Sequence, residues 1–150
     1  MKKKLIIVII AVSFLLVVFA FHFYNSTKPM MQFLTYIYST NLDNRDAIFF
    51  SENEVSDVDI QNYYASLYDI AEDSLVDNLI RIRVPVNYDL TNYNDPYSIK
   101  KITLKKSTNN QYSYDVTATN KTNTVHYIGK ISQHDGLVDY FFESHSTIEQ

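Results

Sequence analysis

The stretch from Leu5 to Phe21, LIIVIIAVSFLLVVFAF, holds no charge and a single hydroxyl, and it follows directly on Met-Lys-Lys-Lys. No other segment constrains the chain as tightly. A helix rises about 1.5 Å per residue, so residues 5–24 make about 30 Å of rod, the thickness of a bilayer's hydrocarbon core. A secretory signal shares the basic start but has a shorter apolar run and a small-x-small cleavage site. Here that place is taken by Phe19-Ala20-Phe21-His22-Phe23-Tyr24, whose rings suit the headgroup level of a membrane. An uncleaved signal anchor is therefore expected over residues 5–24, with a cleaved signal as the alternative. The positive-inside rule keeps residues 1–4 in the cytoplasm and sends the rest of the chain outside. The expected location is the cell membrane, crossed once.

Charge and cysteine content then bound what lies beyond the anchor. The chain has 13 Lys+Arg and 17 Asp+Glu; without the three N-terminal lysines the balance is 10 to 17, a net of −7. Nucleic acid needs a basic footprint, so it is excluded as a partner, and electrostatic adhesion to anionic lipid is disfavoured. An acidic body is compatible with solubility or with a basic protein partner. With no cysteine, neither a disulfide framework, a lipidated cysteine nor a thiolate metal site can form. The roughly 125 exported residues make one domain, which must rely on its apolar core. The Tyr, Asn, Ile and Lys richness resembles that of an AT-rich Gram-positive bacterium. In such a host the sequons at Asn25 and Asn120 are chance matches.

Periodicity supplies the architecture. Residues 25–28 read as a short polar link, with Pro29 in the first turn of a new helix. Met30, Phe33, Leu34, Ile37 and Tyr38 then form a helical stripe. A shorter helix is expected over Asp43–Ser51. Ser56-Asp57-Val58-Asp59 reads as a cap, followed by Ile60, Tyr63, Tyr64, Leu67 and Tyr68 on one face of a helix reaching about Glu72 or Ser74. From Leu79 the period becomes two: Ile80, Ile82, Val84 and Val86 alternate with Arg81, Arg83 and Pro85, an edge strand in this reading. Three strands follow around Ser98–Ser107, Gln111–Thr119 and Val125–Ile131, and Leu137–Ser144 closes the sheet. The expected class is α+β: a transmembrane helix, then two or three helices packed on one face of a curved four- to five-stranded antiparallel sheet, in a domain spanning residues 29–150.

Register arguments place the candidate site. With His134-Asp135-Gly136 as a three-residue hairpin, Ile131 faces Asp139, Gly129 faces Phe141 and Tyr127 faces Glu143, all on the inner side with Tyr112, Tyr114 and Val116. The outer side carries Asp115, Thr117, His126, Lys130 and Ser132, but also Ile128, Val138, Tyr140 and Phe142. That face is either half covered or a docking surface, for which His126, Ile128, Lys130, Tyr140 and Phe142 are the candidate partner-binding residues. Asp139 and Glu143, with Tyr114, are the candidate pocket residues, because two carboxylates on a tyrosine-lined inner face could serve as a general base if buried. The blander alternative puts Glu143 at the open sheet end and pairs Asp139 with a hydroxyl or a lysine. The four histidines show no metal-ligand spacing, and the two glycines, Gly129 and Gly136, cannot build a phosphate cradle. No catalytic residue, metal or cofactor is expected.

Helices followed by a sheet whose last hairpin reads YIGKISQHDGLVDYFF (Tyr127–Phe142) resemble the nuclear-transport-factor-two-like, or cystatin-like, class over Pro29–His145. The Asp135-Gly136 turn entering the alternating final strand carries that resemblance. The His/Asp dyad of the catalytic members is absent, so no functional residue transfers. The resemblance implies an accessory subunit of a conjugative transfer or secretion machine, or a small envelope protein of unspecified role, and the first expectation is docking on another envelope protein. An immunity protein against an extracytoplasmic toxin and a small-ligand binder or enzyme are the competing expectations.

Overall fold

The structure, a computed structural model, describes residues 2–39, 57–82, 84, 96–107 and 110–149. The expected helix over Asp43–Ser51, Val86 and most of the loop before Pro96 lie outside the described residues. The chain runs α1 (Lys2–Tyr38), α2 (Asp57–Tyr64), a 3-10 turn (Ala65–Leu67), α3 (Asp73–Ile82), β1 (Ser98–Lys106), β2 (Gln111–Thr119), β3 (Thr124–His134) and β4 (Leu137–Glu149). The fold is α+β, with helices on one face of an open antiparallel sheet of order β1-β2-β3-β4. Among the described residues the sheet has four strands.

α1 corrects the expected linker. Residues 25–28 are one turn of an unbroken helix of 37 residues, about 55 Å long. Its described N-terminal half, from Ile9, is exposed and apolar enough to cross a membrane, whereas Met30, Phe33, Leu34, Ile37 and Tyr38 are buried in the domain core. Pro29 lies inside the helix and has no N–H to offer the carbonyl four residues back. At the neighbouring carbonyl the sheet takes part instead: the Gln133 side-chain amide donates to the Ser26 carbonyl. Thr27, buried, donates its hydroxyl to the Tyr24 carbonyl at 3.3 Å. Packing on the sheet thus carries the helix through a residue that would ordinarily start one.

The strand expected from Leu79 is also corrected. Residues 73–82 are helical, because Leu75, Val76 and Leu79 fall on one face and bury together. Asp73 sits in the first turn, where negative charge favours a helix. The Ile80/Ile82 alternation is incidental, and Ile82 points to solvent. Nor does the helix before it reach residue 72. It tightens to 3-10 at Ala65, and residues 70–72 instead make a parallel bridge to β4, with Val138 N donating to Ile70 O and Glu72 N to Val138 O, both at 2.9 Å. The aromatic stripe of α2 is core as expected, with Tyr63, Tyr64 and Leu67 buried.

β2 and β3 show strict alternation of burial, so Tyr112, Tyr114, Val116, Val125, Tyr127 and Ile131 face the helices. Ile102 and Leu104 pack inward, while Lys101, Thr103 and Lys105 face out. The last hairpin differs from the expected one. Asp135 and Gly136 both have positive φ (48° and 85°), the demand of a two-residue type I′ turn, and His134 pairs with Leu137. Two irregularities then shift the register of β4, between Ser132 and Gln133 and between Ile128 and Gly129. Each extra residue, Asp139 and Ser144, reverses which face the following residues occupy. The shorter turn sets Val138, expected outside, opposite Gln133, where it is fully buried, and with the extra residue at Asp139 Gly129 pairs with Glu143 where Phe141 was expected.

Candidate functional site

The outer face of the sheet gathers the five candidate partner-binding residues. His126 and Ile128 lie on β3 beside Asp115 and Thr117 of β2, Lys130 pairs with Phe142, and Ser132 pairs with Tyr140. Asp115 is held by His126, Oδ1 to Nδ1 at 3.0 Å, and the Thr117 hydroxyl lies 3.4 Å from the same nitrogen. Tyr140 and Phe142 remain 41% and 51% exposed, unusual for rings on a strand. The described helices all pack on the opposite side.

The acidic excess lies elsewhere. Asp57, Asp59, Asp69, Glu72, Asp73 and Asp77 all fall in the helical stretch 57–82, with Arg81 the one described base there. Lys101, Lys105 and Lys130 face outward from the sheet, and on that face Asp115 is engaged by His126 and Asp139 by Ser132. This face therefore presents aromatic rings flanked by lysines, in contrast to the net negative charge of the domain.

The three candidate pocket residues do not converge. Asp139 follows inward-facing Val138, so its side chain turns to the outer face, where it accepts a hydrogen bond of 2.6 Å from the Ser132 hydroxyl. Tyr114 and Glu143 do meet, but through a third residue from the helix stripe. Tyr38 donates to Glu143 Oε2 at 2.6 Å, and its hydroxyl lies 2.9 Å from that of Tyr114. Tyr38 stacks on Tyr127 at 4.4 Å between centroids, and Tyr114 stacks on Phe141 at 5.8 Å. Burial, then the neighbouring Tyr114 and the Glu143 carboxylate, push the Tyr38 phenol well above its ordinary value. Burial raises Tyr114 too, against the opposing effect of its bond to Tyr38. Both phenols are thus held neutral, as donors locking α1 to the sheet.

Gly129 is what admits this cluster. It sits opposite Tyr114, and a Cβ there would collide with the Tyr114 hydroxyl and the Phe142 carbonyl. Sequence reasoning found Tyr114 and Glu143 but placed Tyr38 only in a core stripe; its spacing gave no sign that its hydroxyl would reach a strand 105 residues away. A separate open groove of about 730 Å3 runs between α1 and β1, lined by Tyr24, Lys28, Met31, Thr35, Ile102 and Leu104 among others. It contains none of the eight candidate residues. No group of three or more His, Asp or Glu with metal-binding geometry occurs among the described residues. Comparison with protein-family models, with curated proteins and with solved structures finds no match.

Proposed function

We propose that this chain is a single-pass membrane protein whose uncleaved N-terminal helix holds a non-catalytic interaction domain outside the membrane, and that the outer face of its sheet docks on another envelope protein. The observation that carries this reading is the pair Tyr140 and Phe142, exposed beside Lys130 on a face against which no described helix packs. Exposed aromatic residues flanked by charge are the usual anchors of protein interfaces. The continuity of α1 supports an anchor over a cleaved signal. A protease needs the chain extended around the scissile bond, whereas residues 19–30 are helical and run directly into the core. Helices preceding a four-stranded meander support the likeness to the nuclear-transport-factor-two-like class, and with it a role as an accessory subunit.

The inner cluster favours structure over catalysis. Glu143 accepts from a phenol inside packed rings, and Asp139 is engaged on the other face. Neither carboxylate stands free beside the other, so the ligand-binding reading loses its paired groups.

The test is a photo-crosslinking residue placed at 142, or at exposed Lys121 as control, in the full chain in its native membrane. A discrete adduct from 142 alone, lost when Tyr140→Glu is added, is the expected result. Equal adducts from both positions would refute docking by this face. Tyr140→Glu should leave stability within about 0.5 kcal/mol, since it touches an exposed position.

A further inference from the structure

Contacts along α1 fix how the domain stands on the membrane. Going up the helix, Ser26 meets Gln133, Phe33 meets Phe141 (paired with Ile131), and Tyr38 meets Tyr127 and Tyr114 (paired with Gly129). From Ser26 to Tyr38 the helix rises about 18 Å, and from Gln133 to Tyr127 the strand runs about 20 Å. The two lengths match, so the strands run nearly along the helix axis and β3 heads toward the N-terminal half of α1. The β3–β4 and β1–β2 turns lie at that end of the sheet, whereas the β2–β3 turn and the C-terminal end of β4 lie at the other.

From these levels we propose that the end of the sheet carrying His134-Asp135-Gly136, with Ser107 and Asn110 beside it, sits in the headgroup layer of the bilayer. The proposal rests on the anchor reading above and goes beyond it. If the hydrocarbon edge is at Tyr24, Ser26 stands only about 3 Å beyond it, and the bilayer's polar layer is about 5–7 Å thick on each side. Gln133 is at the level of Ser26, and the hairpin tip projects further toward the membrane. No linker separates the two bodies, because residues 25–28 are helical.

Lipid headgroups are the partner by position, not by net charge. At this end Lys28 and Lys106 stand among the carboxylates of Glu72, Asp135 and Asp139. Such a mixed surface suits zwitterionic headgroups, which carry both signs. The seating leaves the docking face upright, so partners reach it sideways along the membrane.

The chain has no tryptophan, so a single introduced Trp is a clean reporter. The full chain would be reconstituted into phosphatidylcholine vesicles with a nitroxide on a fraction of headgroups, carrying either His134→Trp or Lys121→Trp. Both positions are exposed, and they lie at opposite ends of β3. Position 134 should be quenched several-fold more strongly than position 121. Ser107→Trp, in the adjacent turn, repeats the measurement if His134→Trp perturbs the hairpin. Vesicle-bound protein quenched equally at both ends would overturn the seating and leave the anchor intact. Protein that does not float with the vesicles would overturn both.

Discussion

Tyr38→Phe deletes one oxygen from the point where α1 meets three strands. The lost bond to Glu143 is short, 2.6 Å, and its acceptor is a carboxylate; bonds to charged groups contribute about 1.5–3 kcal/mol when buried. Glu143 is only half buried, so water recovers part of that and the lower end applies. The substitution also strands the Tyr114 hydroxyl, whose remaining contact is the Phe142 carbonyl at 3.5 Å, a weak bond. A buried donor left short of a partner costs about 1–3 kcal/mol. Together the expected loss is about 2–4 kcal/mol. In a chain of this size that lowers Tm by about 4–16 °C, at about 2–4 °C per kcal/mol. The assay is thermal unfolding of the full chain in detergent, followed by the near-ultraviolet dichroism of the tyrosines. Adding Tyr114→Phe should cost less than it does alone, because the stranded hydroxyl leaves with it. A shift within error for Tyr38→Phe, or strict additivity in the double variant, would refute the relay.

Two further outcomes follow from the same cluster. The folded state raises both the Tyr38 and Tyr114 phenols above the ordinary tyrosine value of about 10, so their contribution is complete below that pH and is lost as pH rises beyond it. Urea midpoints should hold steady from neutral pH to about 9 and fall above 10 more steeply than in the double Tyr→Phe variant; parallel profiles would contradict it. Gly129→Ala should cost at least about 1–3 kcal/mol by overpacking, read as a lowered urea midpoint, and Tyr114→Phe in the same chain should restore part of it by clearing the hydroxyl. No restoration would mean that the Phe142 carbonyl and the Tyr114 ring carbon, which the substitution leaves in place, make the clash without the hydroxyl.

The residues announced most of the architecture, for reasons that can be named. β2 was legible because Tyr112, Tyr114, Val116 and Ala118 alternate with short polar residues, and a half-buried strand leaves no other choice. The Asp135-Gly136 turn was legible in kind but not in length. A two-residue turn and a three-residue one share those letters, and the difference moved every partner in β4. α3 was misread because four residues of incidental alternation outweighed Leu75, Val76 and Leu79 just upstream.

The apolar rod long enough to cross a membrane, the acidic body and the two-layer design are local properties: hydrophobic length, charge count and period are written in consecutive residues. What only the tertiary structure decided is register and juxtaposition. Val138 turned inward and Asp139 outward because a two-residue turn, one shorter than expected, sets Val138 opposite Gln133. One extra residue in β4 then keeps Tyr140 on the outer face as well. α1 ran through Pro29 because packing on the sheet offset the lost backbone bond, so the expected tether became a rigid post. Tyr38 found Glu143 across 105 residues, a contact no window of sequence contains, because the turn length and the irregularity at Asp139 together set which side chain β4 presents to the helix.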